Sequence, residues 1–250
     1  MRTVLDWARV AYGLSGANPV DGVEKALPKQ PERGEHFAAM PYGEVPAFLA
    51  RLRQRPASEI SVLALEFLIL TACRTNEVLL ATWSEFDLTE RTWTIPASRM
   101  KAGEAHAVPL PPRAIALLEQ AKAAGQGEKL VFPSSKRGKP LSNMVFLMML
   151  RRMKLEVTAH GFRSSFRDWA AEETSFPNFV VEKALAHTID NKVEAAYRRG
   201  DLLKKRRELM EVWASYCGGG SPQRTKEPTR RTTRRQLEKG NGGLLLTSRH

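Results

Sequence analysis

Six residues have the types needed to act together on a phosphodiester: Arg74, Lys101, His160, Arg163, His187 and Tyr197. Arginine stays charged and can donate two parallel hydrogen bonds to phosphate oxygens. Two arginines could bracket the non-bridging oxygens while charge builds in a pentacoordinate transition state. A lysine can protonate the leaving oxygen, and an imidazole can accept a proton or donate to phosphate. Tyr197 is followed by Arg198 and Arg199. A phenol, with an ordinary pKa of about 10, needs such positive charge or a base before it can attack at neutral pH. Two guanidiniums, two imidazoles, an ammonium and a nucleophile suffice to cut a phosphodiester without a metal.

Each residue also has a plainer reading. Arg74 follows the apolar run Leu70-Thr71-Ala72-Cys73, so its Cα lies near the core, and Glu77 three residues on is a natural partner. That pair is either a structural ion pair or a guanidinium held by Glu77 and aimed at phosphate. Lys101, in Arg-Met-Lys-Ala-Gly, sits in a turn where most lysines are simply solvated. His160, Arg163 and Arg167 share one helical face, and Phe162, Phe166 and Trp169 another. The first face could equally be solvated. His187 ends a helix, where a cap is the common role. Tyr216 is the rival nucleophile, but Trp-Ala-Ser-Tyr-Cys near the end of the last helix reads as packing.

The elements that must position these groups alternate in period. Helical spacing covers residues 2–12, 46–53, 58–73 and 75–82. Strand-like runs follow at 83–88, 91–95 and 106–110, with turns at Thr89-Glu90 and Ala102-Gly103. Helices resume at 112–124 and 141–153, with a short strand at 130–132 between them. Four more follow at 160–173, 178–186, 192–198 and 202–216. The expected fold is mainly α with a small antiparallel β-sheet, an α+β arrangement. Residues 20–42, rich in Pro, Gly and charge, read as a linker. Gly218-Gly219-Gly220 opens a polar tail of low packing potential.

Bulk properties agree with a polyanionic partner. The 250 residues carry a net charge of +12, and 42% are hydrophobic, enough for a core. Residues 218–250 hold 8 Lys/Arg and 2 Asp/Glu, so half the excess lies in the tail. Cys73 and Cys217 form no CxxC pattern and suit a reducing cytoplasm. Asp6 and Arg9 break the N-terminal apolar residues, which argues against a signal peptide. The longest apolar run, 62–73, contains Glu66 and is too short for a bilayer. No P-loop, GxGxxG, HExxH or Gly-x-Ser-x-Gly pattern is present. The histidines (36, 106, 160, 187 and 250) lack metal-ligand spacing. The expectation is therefore no cofactor, no metal and no membrane partner.

The ordered motifs resemble the catalytic domain of tyrosine recombinases, specifically bacterial prophage and genomic-island integrases of the satellite-phage type. The resemblance rests on Leu-Thr-Ala-Cys-Arg-Thr-Asn-Glu-Val (70–78), Trp-Ser-Glu-Phe-Asp-Leu (83–88) and Trp-Thr-Ile-Pro-Ala-Ser-Arg-Met-Lys (93–101). It continues through Val-Pro-Leu (108–110), Ala-His-Gly-Phe-Arg-Ser-Ser-Phe-Arg (159–167), Leu-Ala-His (185–187) and Ala-Ala-Tyr-Arg-Arg-Gly-Asp (195–201). It spans 45–217 and implies the DNA breaking-rejoining fold. It further implies that Tyr197 attacks the scissile phosphate to form a 3′-phosphotyrosine. Arg74 and Arg163 would hold the phosphate, Lys101 act as general acid, and His160 as proton acceptor or phosphate contact. His187 would be an auxiliary donor and Glu77 an orienting acid.

Implied partners are double-stranded DNA at attachment sites and three further copies in a tetramer on DNA. An accessory DNA-bending protein and an excisionase would join them, at the bacterial nucleoid. The helix after the tyrosine would pack against a neighbouring protomer. Residues 1–30 resemble only the end of a helical core-DNA-binding domain, 31–44 a linker and 218–250 a basic, disordered tail. Ala72 stands where glycine is common. Three outcomes stay open: an active strand transferase, a truncated non-catalytic DNA-binding remnant, or a product without a role. Retention of all six candidates favours the first.

Overall fold

The computed structural model describes residues 2–21, 23, 38–55, 59–124, 129–187 and 202–220. Two compact units divide the chain, residues 1–37 and 38–250. In the first, α1 (Arg2–Tyr12) ends at a turn held by Asn18. The Asn18 amide donates to Asp6 Oδ1 at 2.7 Å, and its oxygen accepts the Val20 N–H at 3.1 Å.

The second unit is built around one helix. Its elements are α2 (Val45–Arg53), α3 (Glu59–Thr71), α4 (Thr75–Leu79), β1 (Phe86–Asp87), β2 (Thr92–Ile95) and β3 (His106–Pro109). Then come α5 (Pro112–Ala124), α6 (Val145–Arg152), α7 (Gly161–Glu173), α8 (Asn178–Ala184) and α9 (Leu203–Cys217). Every residue of α3 from Ser61 to Thr71 is buried. A helix apolar on all sides has no solvent face and must be surrounded. Helices α2, α5, α6 and α9 surround it.

The three strands form an antiparallel sheet in the order β1-β2-β3, with Trp93 opposite Phe86 on one side and Val108 on the other. Phe86 stacks on Trp93 at 5.3 Å between ring centroids, and Phe67 of α3 meets Trp93 at 5.6 Å. The architecture expected from the sequence, mainly helical with a small antiparallel sheet, is the one observed.

Local details differ. The first strand is only two residues long, because 83–85 form a 3-10 turn in which Glu85 N–H reaches Thr82 C=O at 3.1 Å. Residues 130–132 contribute a single bridge, Leu130 opposite Thr82, instead of a strand. The helix expected from 141 starts at Val145. The Ser142 hydroxyl and carbonyl capture the N–H groups of Met144 and Val145 and make a turn first. The expected helix 192–198 and the tail beyond Gly220 lie outside the described residues. No helix among the described residues is long and apolar enough to cross a membrane.

Helix α9 closes the core. Leu209, Met210 and Trp213 are buried, and Trp213 packs on Trp169 at 4.9 Å. Trp213 Nε1 donates to Ile69 C=O at 2.9 Å, and Arg206 Nη1 to Ala107 C=O at 2.6 Å. Its apolar stripe is thus taken by its own chain.

One charge sits inside α3. The Glu66 carboxylate is 1% exposed and accepts from Arg53 Nη2 at 2.8 Å and from Arg113 Nε at 2.7 Å. Burial pushes its pKa up, but the hydrogen bonds from Arg113 and Arg53 outweigh that and hold it below the ordinary value. A carboxyl depressed on folding stabilises the fold above its unfolded pKa and loses that contribution as pH falls through the folded value. Glu66→Gln should lower unfolding stability by about 2 kcal/mol at pH 7, less than a fully buried pair because both arginines keep contact with water. Urea titrations of both proteins should converge as the pH is taken below about 4. A constant difference across that range would show that the charge is not responsible.

Candidate active site

The site begins where α3 stops. Ala72 takes φ 51°, a left-handed conformation that reverses the chain and that glycine adopts without strain. That is the physical reason glycine suits this position. Arg74 then becomes the N-cap of α4. Glu77, buried one turn later, reaches back: its carboxylate accepts the Arg74 backbone N–H at 2.7 Å and Arg74 Nη1 at 2.8 Å. Both readings of the pair left open by the sequence are thus compatible with one geometry. Glu77 caps the helix and holds the guanidinium.

Arg163 comes from α7 and is 4% exposed. Its Nη1 donates to Ala72 C=O at 2.5 Å and its Nη2 to Leu185 C=O at 2.6 Å. Arg74 Nη2 donates to Ala186 C=O at 3.3 Å. The carbonyl ends of α3 and α8 therefore converge on two guanidiniums. Unpaired C-terminal carbonyls carry the negative end of the helix dipole and favour cations there. Burial, with the Arg74 charge beside it, draws the Arg163 pKa down from the ordinary guanidinium value. Its Nε is buried without a hydrogen-bond partner among the described residues.

His187 is placed by a second left-handed alanine. Ala186 has φ 50°, its N–H bonds Lys183 C=O at 3.2 Å, and the His187 N–H bonds Glu182 C=O at 3.0 Å. This is the paired closure of a helix C-terminus, made here without glycine. It turns the imidazole back, with Nε2 3.2 Å from Arg163 Nη2 and Nδ1 2.6 Å from Glu182 Oε2. His160 is the N-cap of α7. Partial desolvation lowers its pKa, the charges of Arg163 and Arg74 lower it further, and Glu77 opposes them. The ring is therefore neutral at pH 7 and able to take a proton.

The glycine between His160 and Arg163 has a steric reason. Residues 38–40 cross the start of α7, stitched by Thr158 N–H to Ala38 C=O at 3.0 Å and by Ser165 Oγ to Met40 C=O at 2.5 Å. A Cβ on Gly161 would run into the Ala38 carbonyl and stand 2.8 Å from Ala39 Cα.

The structure brings Arg74, Arg163, His187, His160 and Glu77 into one electrostatic cluster. Lys101 is exposed in the turn between β2 and β3, with no hydrogen bond to this cluster. Tyr197 lies outside the described residues. Sequence reasoning missed two residues. Arg99 Nη1 donates to the Glu77 carbonyl at 3.0 Å, and Arg99 also pairs with Glu85. Glu85 in turn accepts Trp93 Nε1 at 2.9 Å and Thr82 Oγ1 at 2.9 Å, tying the strand that leads to Lys101 to the helix that holds Arg74. Glu182 is the other, five residues before His187 and hence off any helical i+3 or i+4 ridge. Cys73, next to Arg74, is no rival nucleophile: burial first, then the Glu77 charge, push its thiol up to about 12. No cluster of metal-ligating side chains occurs among the described residues.

A helical domain with a three-stranded antiparallel sheet, and two arginines and two histidines gathered at helix ends, defines an α+β class with a basic cluster at its centre. The sequence pattern of the phage integrase family matches residues 39–202, and the chain belongs to that family. It is 35% identical over 205 residues to prophage integrase IntA of Escherichia coli (strain K12), covering 81% of this chain and 49% of that protein. To the integrase of Enterobacteria phage P4 it is 33% identical over 218 residues, with 80% and 49% covered. The chain thus spans about half the length of these curated relatives. Its fold is similar to that of a lambda integrase tetramer bound to a Holliday junction, with TM-score 0.54, 20% identity, and 80% of this chain and 57% of that chain aligned.

Proposed function

We propose that this chain is the catalytic part of a site-specific DNA recombinase that cuts and rejoins strands through Tyr197. The observation that carries the reading is the meeting of Arg74 and Arg163, from different helices, beside His187 and a neutral His160. Their positive charge is preorganised by backbone carbonyls before any substrate arrives, which is what stabilising a developing phosphorane requires.

In the proposed reaction the Tyr197 oxygen attacks the scissile phosphorus as the phenolic proton passes to His160. The bond from phosphorus to the 5′ oxygen breaks, and that oxygen takes a proton from Lys101. A 3′-phosphotyrosine and a free 5′-hydroxyl result. The 5′-hydroxyl of another strand then attacks the phosphotyrosine and releases Tyr197, so the number of phosphodiesters is unchanged and no nucleotide cofactor is consumed. Arg74 and Arg163 hold the non-bridging oxygens, and Glu77 holds Arg74. The working assembly is a tetramer on two double-stranded attachment sites in the bacterial cytoplasm, a reading supported by the relatives' names and by the lambda integrase tetramer's shared fold. An accessory DNA-bending protein and an excisionase complete the proposed set of partners.

The test is a suicide DNA substrate nicked beside the scissile phosphate, so that the released piece diffuses away. Wild-type chain should accumulate a covalent protein–DNA adduct, and Tyr197→Phe should accumulate none while binding as tightly. Binding should weaken steeply between low and moderate salt, since phosphate contacts release counterions. Tight, salt-sensitive binding without any wild-type adduct would instead identify a non-catalytic DNA-binding remnant.

A further inference from the structure

From the geometry around α8 we infer that Glu182 is a positioning residue for strand cleavage, acting through His187 on the Arg163 guanidinium. The inference rests on the strand-cleavage reading above and deepens it. Glu182 grips His187 twice. Its carbonyl accepts the His187 N–H at 3.0 Å, and its Oε2 lies 2.6 Å from His187 Nδ1. The other oxygen, Oε1, accepts Arg167 Nε at 2.7 Å. On an uninterrupted helix, side chains five residues apart point about 140° away from each other. The left-handed turn at Ala186 is what folds His187 back over the carboxylate.

The consequence is chemical. A carboxylate 2.6 Å from Nδ1 places the ring proton on Nδ1. In that tautomer Nε2 carries the lone pair, and it is the atom 3.2 Å from Arg163 Nη2. One Nη2 hydrogen of Arg163 goes to Leu185 C=O and the other to His187, so the guanidinium plane is held before DNA arrives. Without Glu182 no acceptor would hold the proton on Nδ1, and the Nε2–H tautomer, which presents an N–H to an N–H, would gain population. The Glu182–Arg167 pair does not supply a competing structural explanation. Arg167 is 55% exposed, and such surface pairs contribute little to stability. The carboxylate itself is only 17% exposed, and the hydrogen bonds from His187 and Arg167 outweigh its burial to hold it ionised.

The test pairs nitrogen-15 spectra of the histidine rings in the free chain with single-turnover cleavage of the nicked substrate. In neutral buffer, His187 should carry its proton on Nδ1 in the wild type and shift toward Nε2 in Glu182→Ala. Cleavage by Glu182→Ala should fall about 10- to 100-fold, the usual cost of losing a carboxylate that orients a functional histidine, with DNA affinity retained. Glu182→Gln, whose amide oxygen can still accept from Nδ1, should recover most of the rate. In a His187→Ala background, Glu182→Ala should cost nothing more, because the path runs through the imidazole. An unchanged tautomer in Glu182→Ala, or a full additional loss in the His187→Ala background, would overturn the proposal. Absence of a wild-type adduct would sink the strand-cleavage reading instead. The tautomer comparison would still decide whether Glu182 holds His187.

Discussion

Arg163→Lys should reduce adduct formation on the nicked substrate by about 1,000-fold, the scale reported by loss of preorganised donors at a developing oxyanion. A lysine keeps the charge but offers one ammonium where the guanidinium spans two helix ends. It cannot reach Ala72 C=O and Leu185 C=O together while also meeting His187 Nε2. The same variant should lose about 2 kcal/mol of folding stability, because at least one nearly buried carbonyl is left without its donor. DNA affinity should change much less than the cleavage rate, since one phosphate contact among many sets only about one unit of the salt slope. Equal losses in binding and cleavage would mean that Arg163 serves DNA docking and not the chemical step.

Gly161→Ala should be the most damaging change of a single methyl group, costing about 3 kcal/mol of stability by overpacking against backbone that cannot swing aside. The added carbon would meet Ala38 and Ala39 main-chain atoms, not the flexible tip of a side chain. Relief requires the 38–40 segment or the start of α7 to move. The second option displaces His160 and Arg163 together, because they flank the glycine. Urea unfolding and adduct yield on the folded fraction measure the two effects separately. A variant with wild-type stability would show that residues 38–40 do not press on α7 as the structure has them.

The helical stripes and the strand-like alternation were legible because burial imposes periods of 3.6 and 2 on the chain. The Phe162, Phe166, Trp169 face of α7 reads as core for that reason, whereas Val62 to Thr71 reads as a core helix because it is an almost unbroken apolar run. Boundaries set by single hydrogen bonds were not legible. The Ser142 turn delays α6, and a 3-10 turn takes half of the expected first strand. Glu182 and Arg99 escaped for a related reason. Their partners are backbone carbonyls and a side chain brought near by a left-handed alanine, and no residue type announces those.

The chain's order of residue types already specified the chemistry on offer: guanidinium, ammonium, imidazole and phenol in a recombinase-like sequence of motifs. It also specified which helix would be surrounded, because a run of apolar residues has nowhere else to go. Folding in three dimensions alone decided that α3 and α8 end against each other's neighbours, so that Arg163 bridges their carbonyls and Arg74 joins it from the α4 cap. Those contacts join residues 22, 91 and 112 positions apart. Local pattern is a short-range property, whereas the meeting of two helix ends depends on how every layer between them packs.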